Sequence, residues 1–176
     1  SYGGLVSFIS LYAIKTGLGL TGVFFIVFAS GITLARIYMG KIFDRHGPAV
    51  LSVVGILLLA VGYLLLGIVI NKVAFMIAGF ALGLGSGIVF PTFQAMVNNL
   101  VVPQRRGAAN STLFSGLDLG IGLGMLITGL LAHSLGLPKT YLMFSGLNIA
   151  ALIYFIFISL THYQANYRRI SENSKI

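Results

Sequence analysis

Gly40-Lys41-Ile42-Phe43-Asp44-Arg45-His46-Gly47-Pro48 is the stretch on which the fold turns. It crowds an acid between bases in a chain of 176 residues that has only 11 Lys and Arg and 3 Asp and Glu. On one side, the 20 residues between Lys15 and Arg36 are uncharged; on the other, so are the 26 from His46 to Asn71. The stretch reads as the end of one helix, a tight turn, and the start of the next helix at Pro48. Proline suits the first helical position because its missing N–H would have no partner there.

The pattern repeats outward from this turn. Val73–Gln104 is uncharged, Gly107–Pro138 is broken only by Asp118, and Thr140–Tyr167 is uncharged again. About 20 apolar residues carry a helix across the roughly 30 Å hydrocarbon core. Five full spans are expected, near 18–39, 49–70, 73–100, 108–133 and 141–161. Runs of this length without alternation are helices rather than barrel strands. Ser1 to Ile14 is apolar but short, about 21 Å of helix, and reads as a truncated first helix. The expected fold is an all-α, polytopic transmembrane helix bundle: residues 1–162 form one half-domain, with spans near 1–14 (partial) and the five above, and 163–176 form a polar, basic tail.

Composition excludes the other broad classes. Charged residues make up 8% of the chain and hydrophobic ones 57%, against about 25% charged in soluble domains; mean hydropathy is +1.00. Such a chain has no polar surface for a cytosolic enzyme. With no cysteine there is no disulfide scaffold and no thiol chemistry. The formal charge of +8 comes from bases scattered singly or in pairs, not clustered as a nucleic-acid face requires. The positive-inside rule accounts for them. Lys41, Arg45, Arg105, Arg106, Arg168, Arg169 and Lys175 fall on one side; Lys15, Lys72 and Lys139 fall on the other. The first group is expected in the cytoplasm, together with the C-terminus, in a multi-pass protein of the plasma membrane.

Within the spans, Gly79, Gly83 and Gly87 recur every four residues, as do Gly116, Gly120, Gly124 and Thr128. Both are small-residue stripes along which helices approach closely, against helices of this chain or against helices it lacks. Below Pro91, Phe90, Gln94 and Asn98 share a helical face; they read either as a polar cavity wall contacting a solute or as interhelical hydrogen bonding. Asp118 is the only acid inside a span. A charge there costs roughly 3 kcal/mol or more unless it meets water or a partner. Burial raises a carboxyl pKa, which suits a proton carrier; the alternative is a structural acid bonded to a neighbouring helix. No metal site, cofactor motif or catalytic constellation appears; His46, His133 and His162 lie far apart.

Gly40-x-x-x-Asp44-Arg45-x-Gly47, preceded by Arg36, resembles the cytoplasmic loop motif of the major facilitator superfamily. Tyr2-Gly3-Gly4 through Phe8 and Tyr12 resembles the outer end of that family's seventh helix. Val102-Pro103-Gln104-Arg105-Arg106-Gly107-Ala108-Ala109-Asn110 resembles the loop entering the eleventh, and Asp118-Leu119-Gly120-Ile121-Gly122-Leu123-Gly124 resembles that helix in bacterial drug and small-solute exporters. Pro48-Ala49 departs from the motif, which usually continues with bases. The resemblance assigns the chain as the end of helix seven through helix twelve. It implies a secondary transporter working by alternating access, with the missing N-terminal six-helix half as partner alongside the lipid bilayer. The implied activity is proton-coupled export, an antiport, of lipophilic or drug-like small molecules. Alternatives are a carrier of sugars or other metabolites within the same family, and a non-transporting membrane module or truncated half. Arg36, Gly40, Asp44, Arg45 and Gly47 are then the conformational gating motif. Phe90, Gln94, Asn98 and Asp118 are the substrate-binding or proton-coupling candidates. By the same resemblance, the Gly116–Gly124 stripe faces the missing half.

Overall fold

The computed structural model describes the backbone of residues 1–68 and 71–173. The side chains of Met39, Lys41, Asp44, Arg45, His46 and 168–173 lie outside the described residues. Helix α1 is Tyr2–Lys15. It stops where Gly17 and Gly19 take φ of 71° and 62°, which turns the chain back so that the Leu18 amide reaches the Ala13 carbonyl at 2.9 Å. The helical segment Thr21–Ile68 is broken once, at Gly47, with φ 73° and ψ 172°. A side chain rarely tolerates that conformation. Gly47 therefore divides α2 (21–46) from α3 (Gly47–Ile68), and Pro48 sits in the first turn of α3.

Asn71 caps α4 (Lys72–Asn99), its side chain accepting from the Ala74 amide at 2.7 Å. A 3-10 turn, Pro103–Arg105, leads into α5 (Arg106–Ser134). Gly136, φ 81°, opens α6, which runs Leu137–Tyr154, passes through a π turn at Phe155–Ser159 and continues over Leu160–Asn173. Among the described residues five helices are long and apolar enough to cross a membrane: Thr21–Tyr38, Gly47–Ile68, Lys72–Asn99, Pro103–Ser134 and Leu137–Tyr167. The chain is an all-α polytopic bundle. The last helix continues past the expected span to Asn173.

The pairing of helices follows from residue contacts. Side chains added at Gly79, Gly83 and Gly87 of α4 would meet Phe24, Phe28 and then Ile32 and Ala35 of α2, so the two helices run parallel. At Gly55 and Gly62 of α3 they would meet Val89 and then Leu82, so α3 runs antiparallel to α4. Along α5, Ile121 and Gly124 adjoin Gly3, and Gly129 adjoins Phe8 further along α1; α1 and α5 are parallel. Lys15, Lys72 and Lys139 thus share one end of the bundle, and Arg105 and Arg106 lie at the other.

At the lysine end an aromatic core joins α1, α2, α3, α4 and α6 through Tyr12, Phe24, Phe28, Tyr63, Phe75, Tyr141 and Phe144. Its ring pairs lie at centroid distances such as 4.6 Å (Phe24–Phe75) and 5.3 Å (Tyr12–Tyr141). Tyr12 donates to the Leu66 carbonyl at 2.7 Å and Ser145 to the Ala60 carbonyl at 2.8 Å, both buried. A second cluster, Ile56, Met96, Phe155 and Tyr163, closes the arginine end, where Asn99 donates to the Tyr163 hydroxyl at 3.1 Å. In lipid the solvent is as apolar as leucine, so close packing and these few buried hydrogen bonds hold the helices together.

Candidate functional site

The candidate residues divide between the α4–α5 seam and the α2–α3 turn. Phe90, Gln94 and Asn98 share a face of α4, and that face turns toward α5. The Phe90 and Phe114 rings lie 5.6 Å apart at 49°. Two turns toward the arginine end, Asn110 Nδ2 donates to Asn98 Oδ1 at 3.0 Å. Gln94 is half-buried between them. The face therefore forms an interhelical hydrogen bond and an aromatic contact, and Asn98, Gln94 and Phe90 all remain partly open.

Asn110 and Phe114 were not among the candidate site residues read from the sequence; Asn110 entered only as the end of the Val102–Asn110 run. The signal was present: counting back from Asp118 in fours gives Phe114 and Asn110, one helical face. Asp118 itself is exposed near the middle of α5, one turn beyond Phe114. The structure brings Phe90, Gln94 and Asn98 against Asn110 and Phe114 and leaves Asp118 on the open surface of α5.

The seam is loose. A depression of about 650 Å³ opens between the helices, lined by Val97, Ala109, Thr112, Leu113, Gly116 and Leu117. A smaller one of about 240 Å³ lies toward α6, against Phe93, Met96, Phe155 and Tyr163. Both are apolar, and Phe90, Gln94, Asn98 and Asp118 line neither.

The two glycine stripes are placed differently. Gly79, Gly83 and Gly87 are buried against α2. On α5 only Gly124 and Thr128 are buried, where α1 brings Gly3 and Gly4 against them; a side chain at Gly116, Gly120 or Gly122 would meet nothing within 4 Å. In the turn motif, Gly47 makes the break between helices. Arg36 and Gly40 are exposed, with open space around Gly40. The side chains of Asp44 and Arg45 lie outside the described residues. Among the described residues no three of His, Cys, Asp and Glu come close enough to hold a metal ion.

The family model described as Major Facilitator Superfamily matches residues 1–174. The staphylopine export protein of Staphylococcus aureus is 24% identical over 86% of this chain and 39% of its own length. An uncharacterized MFS-type transporter of Methanocaldococcus jannaschii is 23% identical over 78% of the chain and 36% of its own length. One from Burkholderia mallei is 26% identical over 80% and 35%. The chain spans less than two fifths of the length of these relatives. No solved structure gives a significant match.

Proposed function

The chain belongs to the major facilitator superfamily, whose members are membrane transporters, and on that premise we propose that it is the C-terminal six-helix half of a proton-coupled exporter of lipophilic small molecules. In this reading α1 to α6 are helices seven to twelve. The arginine end and the C-terminus face the cytoplasm, and the membrane is the plasma membrane. Arg36, Gly40, Asp44, Arg45 and Gly47 gate the inner face. Solutes pass along the seam that carries Phe90, Gln94 and Asn98, and Asp118 carries the coupling proton. Two halves rocking about a site between them give alternating access.

The observation that carries this reading is the surface of α5. A lipid-facing carboxylate in mid-span costs roughly 3 kcal/mol or more, yet Asp118 stands exposed there beside Gly116, Gly120 and Gly122, which leave the helix surface bare. Bare glycines permit a closely approaching backbone, and an acid calls for water or a polar partner. A second half-domain with an aqueous path between the halves supplies both. The staphylococcal relative is an export protein, which supports the direction of transport.

The test is Asp118→Asn in the complete transporter. It keeps the side-chain volume and removes the titrating proton. Dye efflux driven by a proton gradient should fall to background, with dye binding retained, and Asp118→Glu should keep part of the flux. Wild-type coupled efflux in the Asn variant would remove Asp118 from the coupling step. Orientation is tested separately by single cysteines at Asn71 and Gln104 in this cysteine-free chain. Only Asn71→Cys should react with an impermeant maleimide from outside.

A further inference from the structure

Two primary amides side by side can exchange two hydrogen bonds, and Asn98 and Asn110 exchange only one. Asn110 Nδ2 donates to Asn98 Oδ1, while Asn110 Oδ1 is buried without a partner. The direction of that single bond fixes what the pair offers the seam. Asn98 spends one of the two lone pairs of Oδ1 on this bond, which turns that oxygen toward Asn110, and has its NH2, two donors, left over. Asn98 is half-exposed and ends the face that carries Gln94 and Phe90. The spare carbonyl of Asn110 is sealed away from any solute.

The reverse polarity is the less stable one. It would seal the NH2 of Asn110 in the seam with both donors unused, and buried donors are left unpaired less readily than carbonyls. The arrangement seen leaves the cheaper group orphaned and the donor exposed.

We infer that Asn110 is a positioning residue: by holding Asn98 Oδ1 it presents the Asn98 NH2 to the seam, so that this end of the seam selects solutes bearing an acceptor oxygen over solutes whose polar group is an N–H donor. The inference rests on the proposed role of the seam as the solute path. Asn110 touches no solute itself; it determines which half of the Asn98 amide a solute meets.

The experiment has two arms. In the first, side-chain amide resonances of the chain in lipid nanodiscs are compared with and without Asn98→Leu. The Asn110 NH2 signal should lose its hydrogen-bonded shift. An unchanged signal overturns the inference. The second arm uses the complete transporter and two naphthalene dyes of similar size. Prodan ends in a ketone and has no N–H; N-phenyl-1-naphthylamine has a single N–H and no oxygen. The wild type should favour prodan. Asn110→Leu should shrink that preference about three- to tenfold, as expected for one neutral hydrogen bond, by raising KM for prodan with the maximal rate kept. Asn110→Gln, which retains a donor, should restore part of the preference. An unchanged dye ratio with transport intact in both variants makes the pair a purely structural tie and overturns this inference alone. Failure of the wild type to move either dye overturns the transport reading and this inference with it.

Discussion

Helices α4 and α5 each carry glycines four residues apart, yet eleven residues of α4 are buried and only two of α5. Along α4 the stripe is filled. The Phe24 ring lies over Gly79, the Phe28 backbone over Gly83, and Ile32 and Ala35 over Gly87. Along α5 the stripe changes character partway: Gly124 and Thr128 meet α1, and Gly116 and Gly120 meet nothing. A stripe of small residues states that a backbone can come close; it does not say whose. The α4 stripe is consumed by the fold, so it has nothing left to contribute to function. The unfilled part of the α5 stripe, with Asp118 beside it, is where the proposed second half would sit.

The comparison breaks first at Gly83. A Cβ there would overlap the Phe28 carbonyl, a backbone group in a neighbouring helix that cannot swing aside. Overpacking of this kind costs typically 1–3 kcal/mol. Gly83→Ala should lower the unfolding midpoint of the chain in detergent or nanodiscs by several degrees, and Gly83→Leu should prevent stable insertion. A wild-type midpoint for Gly83→Ala would mean that α2 and α4 are not in this contact. Gly79→Ala sharpens the point. Its Cβ would meet the Phe24 ring at 3.0 Å, and a ring yields more easily than a backbone, so its loss should be smaller than that of Gly83→Ala.

The spans were legible because charge marks where a membrane helix can enter and leave. The gaps between Lys15, Arg36, Lys72, Arg105 and Lys139 pointed to five long apolar helices, and the described residues contain five, with the break between α2 and α3 at Gly47-Pro48. Polar residues such as Thr161, His162, Gln164 and Asn166 do not end helical hydrogen bonding, and α6 runs on past them while Tyr163 packs back on Met96 and receives the Asn99 hydrogen bond. Helix pairing was hidden. In water a polar face shows which side of a helix is free; in lipid the outward face is as apolar as the packed one. Spacing grouped Phe90, Gln94 and Asn98 on one face of α4 and Asn110, Phe114 and Asp118 on one face of α5, but nothing in it said that the two faces meet.

A smaller effect is expected where α1 is fastened. Tyr12→Phe removes the buried hydrogen bond to the Leu66 carbonyl and keeps the ring against Phe75 and Tyr141. A single neutral bond is worth about 0.5–1.5 kcal/mol. The variant should unfold slightly earlier. Because α1 is the helix that covers Gly124 and Thr128, cysteines at those two positions should also react faster with a lipophilic maleimide. Unchanged reactivity at Thr128→Cys in the Tyr12→Phe background would show that α1 is held without this bond.

The smallest effect on the chain itself is expected at Gly120, and it decides what the open stripe is for. Gly120→Ala places a methyl where nothing lies within 4 Å. Alanine is favoured over glycine in a helix by about 0.8–1 kcal/mol, so the isolated chain should be unchanged or slightly more stable, the opposite sign from Gly83→Ala. In the complete transporter the proposed second half lies over this face, and the same methyl would meet its backbone. Efflux should then fall although the half-domain is no less stable, and Gly120→Leu should reduce it further. Gly22 is also bare of neighbours and lies at the lysine end near the start of α2, on a different helix, so Gly22→Ala provides the control and should leave efflux intact. Full efflux in Gly120→Leu would mean that lipid rather than protein covers the stripe, and the difference between α4 and α5 would then reflect only how tightly this chain packs on itself.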